Sequence, residues 1–240
     1  MTSPVATEWF DGVLVARIDR QDRRNAADLE TYDLLEAAVD SDAVAVVLTG
    51  AGGHFSAGDD VRMFQFDGID GADAFVVHVT RLFQRIEAVP RPVVAAVDGY
   101  ALGFGFELAL ACDAIVATPD AVLGLPEITH GAGPPNAIGR GPSTLGRNLI
   151  RHLAIDGQHW LTGTEAHRYG MVVELHPGAV LEAAASRLAS ELAANPRFLG
   201  TKRLLSLESE TAYRLAPVIM PPLMASSEVA ASSRRFRANG

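Results

Sequence analysis

Several kinds of residue and motif are scarce in this chain, and each scarcity excludes something. One cysteine, Cys112, stands in 240 residues, so no disulfide can close within the chain. A reducing compartment, the cytoplasm, is expected. No apolar run reaches the ~20 residues of a membrane span. The longest, Pro92 to Cys112, is interrupted by Asp98, Glu107 and glycines. No cationic start followed by an apolar segment is present, so no secretory leader is expected. Basic residues are outnumbered, 20 Lys and Arg against 29 Asp and Glu, for a net charge of −9. That argues against a general role on nucleic acid or on a membrane surface, although local arginines can still take a small anion. The 7 histidines are scattered with no HExxH-like spacing, so no metal site is expected. No GxSxG elbow and no P-loop occurs, and Gly103-Phe104-Gly105 lacks the rest of a dinucleotide fingerprint, so NAD is not expected.

What is present is apolar residues, 48% of the chain, enough for a sizeable core. Val13–Ile18 reads as an early strand, and the continuous apolar runs at Ala43–Leu48 and Pro92–Val97 read as buried strands, with shorter strands at 114–117 and 122–125. Helical spacing predicts helices over 28–39, 72–88, 104–112, 145–155 and 179–194. Strand–helix alternation with unbroken apolar strands argues an α/β fold with a mostly parallel sheet buried on both faces.

Two glycine-rich turns follow two of these strands: Phe55-Ser56-Ala57-Gly58-Asp59-Asp60-Val61, and Gly99-Tyr100-Ala101-Leu102-Gly103-Phe104-Gly105-Phe106-Glu107. Two such turns can aim two backbone N–H groups, of Asp59 and Phe104, at one carbonyl oxygen. That is an oxyanion hole, suited to an enolate or a tetrahedral anion. A helix starting near Gly103 puts Phe104 in its first turn, where N–H groups lack intrahelical partners, and puts Glu107 on the same face. Glu107 alone reads equally well as an acid that favours a helix N-terminus. Glu127, in Leu125-Pro126-Glu127-Ile128, alone reads as a solvated loop acid. Together the two can divide the roles of acid and base, or grip one water. The Asp59 side chain reads as part of an acidic turn. His130, three residues after Glu127, has a surface or structural reading.

These residues, with Arg23-Arg24-Asn25-Ala26, Val46-Val47-Leu48-Thr49-Gly50, Arg91-Pro92-Val93-Val94, Leu161-Thr162-Gly163 and Tyr169-Gly170-Met171-Val172, resemble the crotonase (enoyl-CoA hydratase/isomerase) superfamily over most of residues 10 to 175. The resemblance implies a spiral of ββα units over 1–175 and a C-terminal helical trimerisation region over 176–240. It implies trimers or hexamers. Acyl-CoA is the implied substrate, with coenzyme A as part of it and no separate cofactor. It places the oxyanion donors on the N–H groups of Asp59 and Phe104 and the catalytic carboxyls on Glu107 and Glu127. It places the CoA contacts on Arg24, Ala57, Asp59, Asp60, Val61 and Arg62. Both glutamates of the hydratase branch are there, so hydration of a 2-enoyl-CoA to a 3-hydroxyacyl-CoA is the activity implied.

Three departures from the family's pattern stand out. Phe104 replaces a usual glycine, and its ring is expected to shorten or reshape the acyl pocket. The segment Thr129 to Asn136 lacks the usual glycine-rich turn. The ending around Pro217, Pro221, Pro222 and Ala225–Ser233 is unfamiliar. An isomerase or hydrolase with His130 as base, or a non-catalytic acyl-CoA-binding protein, are the alternatives these departures raise.

Overall fold

The computed structural model describes residues 3–205, 214, 217–218, 221–222, 224–225 and 227–238. Residues 206–213 and the shorter gaps after them belong to the expected C-terminal helical region and lie outside the described residues. In chain order the main elements are β1 (Val5–Phe10), β2 (Val13–Ile18), α1 (Leu29–Val39), β3 (Ala45–Gly50), α2 (Gly68–Ala88), β4 (Val93–Val97), β5 (Tyr100–Leu102), α3 (Phe104–Ala111), β6 (Ala114–Ala117), β7 (Val122–Gly124), α4 (Pro135–Leu145), α5 (Arg147–Asp156), β8 (Trp160–Thr162), α6 (Gly163–Arg168), β9 (Glu174–Leu175), α7 (Gly178–Ala193), α8 (Phe198–Leu205) and α9 (Ser227–Ala238).

The main sheet runs β1-β2-β3-β4-β6-β9. β1 and β2 are antiparallel, joined by Asp11-Gly12 at φ 48° and 82°, the sign that a two-residue hairpin turn requires. Every other pair is parallel. Alternate residues of β2, β3 and β4 face two different covers. Leu14, Ala16, Val46, Leu48, Val93 and Ala95 pack toward the helices that carry Leu35, Leu82 and Phe83. Val13, Val15, Ala45, Val47, Val94 and Ala96 pack against Leu181, Ala185 and Ala189 of α7. Burial on both faces is why these strands are apolar along most of their length. A second sheet, β5-β7-β8, carries the strand ends that lead into the site. No helix among the described residues is long and apolar enough to cross a membrane.

The expected strands and helices are found with shifted ends. α2 starts at Gly68 instead of Ala72, and β3 at Ala45 instead of Ala43. The helix expected over 145–155 is α5, and a separate helix, α4, precedes it across a break at Gly146, φ 78°. β1 escaped notice because five of its six residues are exposed, so it shows no apolar run.

Candidate active site

Backbone ladders hold the two glycine turns side by side. Ser56 N–H donates to Tyr100 O (2.8 Å), and Leu102 N–H donates to Ser56 O (3.0 Å). On the other flank Ala27 N–H donates to Gly58 O (2.8 Å), and Asp60 N–H donates to Ala27 O (2.7 Å). Gly58 sits at φ 111° and Gly103 at φ 54°, left-handed values that favour glycine. The two backbones touch: a Cβ on Gly103 would stand 3.8 Å from Gly58 Cα and 3.4 Å from Glu127 Oε1. The Ala27 ladder uses Gly58 O and Asp60 N–H and skips the N–H of Asp59. Phe104 is the first residue of α3, where an N–H has no acceptor inside the helix. Among the described residues neither the Asp59 nor the Phe104 N–H donates to another backbone group. Both residues line one cavity of about 690 Å³.

Glu107 and Glu127 line the same cavity. Glu107 leaves the first turn of α3 and is 6% exposed. Its Oε1 accepts the Ala137 N–H (2.8 Å), from the first turn of α4 where amides lack acceptors inside the helix, and Asn136 Nδ2 approaches Oε2 at 3.5 Å. The positive end of α4 thus faces this carboxyl. Glu127 opens a short turn, Glu127–His130, after β7. Its two carboxyl oxygens are shut off from solvent and find no hydrogen-bond partner among the described residues, apart from a loose approach of its own backbone N–H. Burial raises the proton affinity of both acids. For Glu107 the bonds from Ala137 and Asn136 and the charge of Arg140 pull the other way, whereas for Glu127 the charges of Glu107 and Asp59 push it further up. Glu107 is therefore the better-stabilised carboxylate, and Glu127 the group that keeps a proton.

The solvated-loop reading of Glu127 is corrected by this burial. The acidic-turn reading of the Asp59 side chain is corrected as well. Its carboxyl is enclosed, accepts the hydroxyl hydrogen of Tyr32, and is raised by burial to about 6 against the lowering effect of that bond.

Arg24, Ala57, Asp60, Val61 and Arg62 line the cavity with the acids. Arg24 is exposed, in a left-handed turn (φ 49°), with its guanidinium 5.6 Å from the Tyr100 ring centre. Asp60 is buried and bound by Arg62 (2.7 Å) and Arg20 (3.2 Å). His130 is half-buried on the cavity wall, and burial with the charge of Arg235 lowers its proton affinity. The Phe104 ring, 2% exposed, packs against Tyr32 (4.9 Å between centres) and Phe83 (5.7 Å), closing that part of the wall.

Sequence reasoning missed Asn136, Ala137 and Tyr32. Pro134-Pro135 ahead of Asn136 carried the signal for the first two, since proline is favoured at the first position of a helix. Nothing local marks Tyr32, which reads as one apolar position of α1.

A cavity at the strand ends of a ββα spiral, with two buried acids facing glycine turns, defines a crotonase-type protein. A comparison with protein families matches residues 8–207 to enoyl-CoA hydratase/isomerase. The chain is 34% identical over 189 residues to 2,3-dehydroadipyl-CoA hydratase of Escherichia coli, covering 75% of this chain and 72% of that one. It is 34% identical over 194 residues to short-chain-enoyl-CoA hydratase of Clostridium acetobutylicum, covering 76% and 72%. Among solved structures, an enoyl-CoA hydratase/isomerase from Xanthobacter autotrophicus Py2 superposes with a TM-score of 0.87 at 28% identity, covering 100% of this chain and 95% of that one. An enoyl-CoA hydratase from Mycobacterium avium subsp. paratuberculosis K-10 gives 0.83 at 26% identity, covering 98% and 99%. This chain belongs to the enoyl-CoA hydratase/isomerase family, a family of enzymes.

Proposed function

We propose that this enzyme hydrates a 2-enoyl-CoA to a 3-hydroxyacyl-CoA. The observation that carries the reading is the unequal pair of acids on one cavity: Glu107 hydrogen-bonded from Ala137, Glu127 without such a bond. Hydration needs one carboxylate to take a proton from water and one carboxylic acid to give a proton to carbon. Water attached to Glu107 attacks the β-carbon while Glu107 takes its proton. The π electrons move into the thioester, and the enolate oxygen accepts hydrogen bonds from the N–H groups of Asp59 and Phe104. Glu127 then protonates the α-carbon, and the proton held by Glu107 returns to Glu127 before the next turnover. Each amide donor of this kind supplies on the order of 2.7–4 kcal/mol of transition-state stabilisation.

In this reading coenzyme A lies along Arg24, Ala57, Asp59, Asp60, Val61 and Arg62, and it enters only as part of the substrate. Arg24 and Arg62 face its phosphates, where guanidinium groups bind well. Assembly into trimers or hexamers belongs to the same proposal, and sedimentation measures it directly.

The test is Glu107→Gln and Glu127→Gln with crotonyl-CoA. Each variant is expected to lose roughly 10²–10⁴-fold in kcat, while a saturated acyl-CoA binds within about threefold of the parent. Hydration at the parent rate in either variant would overturn the assignment.

A further inference from the structure

A third carboxyl stands in this cavity. Asp59 supplies one of the two proposed amides and lines the space that holds Glu107 and Glu127, and its carboxyl lies close enough for its charge to act on both acids. It is fastened there by Tyr32, a fully buried residue of α1 whose hydroxyl donates to Asp59 Oδ1. The Tyr32 ring in turn lies edge-on against Phe104, which carries the other proposed amide. One tyrosine therefore touches both halves of the oxyanion hole. A buried tyrosine hydroxyl needs an acceptor, but any neutral acceptor would serve. A carboxylate is the costliest choice in an enclosed site that already holds two acids.

Hydrogen bonding distinguishes the three acids. Asp59 accepts the Tyr32 hydroxyl, and Glu107 accepts the Ala137 amide at the head of α4. Among the described residues, Glu127 accepts neither kind of bond from another residue. Charges on carboxyls that share one desolvated space oppose one another, and a proton rests on the member with the least support for a charge. We propose that Asp59, held by Tyr32, is a positioning residue of this site, a fixed negative charge that keeps the proton on Glu127. The inference rests on the hydratase reading for its catalytic meaning, because Glu127 must be protonated to act as the acid. It stands apart from that reading as a statement about where the proton sits.

The other charges nearby are themselves engaged. Asp28 and Asp60, which face Tyr32 and Asp59, are paired with Arg20 at 2.8 and 3.2 Å. His78 lies against the Tyr32 ring and beside Asp33. Arg140, behind Glu107, is paired with Glu87. Arg24, Arg62, His130 and Arg235 also line the cavity. All of these are common to the parent and to a variant at Asp59 or Tyr32, so a difference between the two isolates the Asp59 charge.

The experiment is a ¹³C NMR titration of glutamate carboxyls in the full-length protein, with the Glu127 signal assigned by its loss in Glu127→Gln. Asp59→Asn keeps the backbone N–H and an acceptor for Tyr32 but removes the charge. It is expected to move the titration of Glu127 to lower pH by about half a pH unit or more. Tyr32→Phe leaves Asp59 without its supporting bond and is expected to move Glu127 in the same direction. Adding Tyr32→Phe to Asp59→Asn is expected to move it no further. The high-pH limb of crotonyl-CoA hydration should fall by the same amount as the NMR titration. A Glu127 titration that stays in place in Asp59→Asn, or moves upward, overturns the proposal. A parent enzyme that hydrates no enoyl-CoA overturns the hydratase reading alone, because the NMR titration reports the proton's location without turnover.

Discussion

Gly105 lies on the carbonyl of Ser56: a Cβ added to Gly105 would meet Ser56 O at 2.6 Å. That contact lets the first turn of α3 settle against the Ser56–Asp59 loop, and so brings the Phe104 and Asp59 amides to one cavity. The neighbour is backbone, itself bonded to Leu102 N–H, and cannot swing aside. Gly105→Ala should therefore force the two turns apart. Because sub-ångström positioning governs this kind of catalysis, kcat is expected to drop on the order of 10²-fold. Overpacking costs typically ~1–3 kcal/mol. Steady-state kinetics with thermal unfolding checks both figures, and a fully active variant would break the link drawn between this contact and the amide pair.

The buried acids make stability depend on pH in a fixed direction. Asp59, Glu107 and Glu127 all hold their protons more tightly in the folded protein than carboxyls do in an unfolded chain. The folded state then carries protons that the unfolded state has released. Their effect on stability is nil below the unfolded values near ~4 and grows unfavourable as pH rises through the folded values. Glu127→Gln removes one such acid. The variant should melt higher than the parent at pH 8, by at least ~2 °C, and nearly together with it at pH 4. Calorimetry across that range is decisive, and a variant that melts lower at pH 8 contradicts the burial argument.

The Phe104 ring forms part of the cavity wall while packed on Tyr32 and Phe83. Replacing it with a smaller apolar side chain opens the wall without removing the N–H. In Phe104→Leu the ratio of kcat/KM for an eight-carbon over a four-carbon enoyl-CoA should rise roughly 10-fold, the scale set by methylene contacts in apolar sites. A competition assay with mixed enoyl-CoAs reads the ratio in one vessel. No change in the ratio would mean that the chain end is received elsewhere.

Arg24 stands exposed beside the cavity with its guanidinium over the Tyr100 ring. It is distant from the acids in function, and its proposed contact with CoA is the same in ground and transition states. Arg24→Ala should raise KM about 10-fold with little change in kcat, and the gap between variant and parent should narrow at high salt. A selective fall in kcat would place Arg24 in the chemical step instead.

Much of the scaffold was legible in the sequence for a local reason. β2, β3 and β4 are buried on both faces, so apart from Arg17, Thr49 and Gly50 their residues are apolar, and that is visible in a window of five or six. Gly58 and Gly103 announce their turns because left-handed backbone strongly favours glycine. β1 and α4 were hidden for equally local reasons: an edge strand that faces water keeps no period, and Pro142 within α4 breaks the helical signal.

The candidate site divides along the same line. The chain's order of residues determines that an acid sits in the first turn of α3, that another follows β7, and that two glycine turns can present amides, because each depends on neighbours a few positions apart. Only the folded chain decides that Asp59 joins those acids, that Tyr32 holds it, and that α4 lends Glu107 an amide while, among the described residues, Glu127 receives none. These are contacts between residues distant along the chain, and a carboxyl's hold on its proton is set by charge, hydrogen bonds and water at distances that exist only after folding.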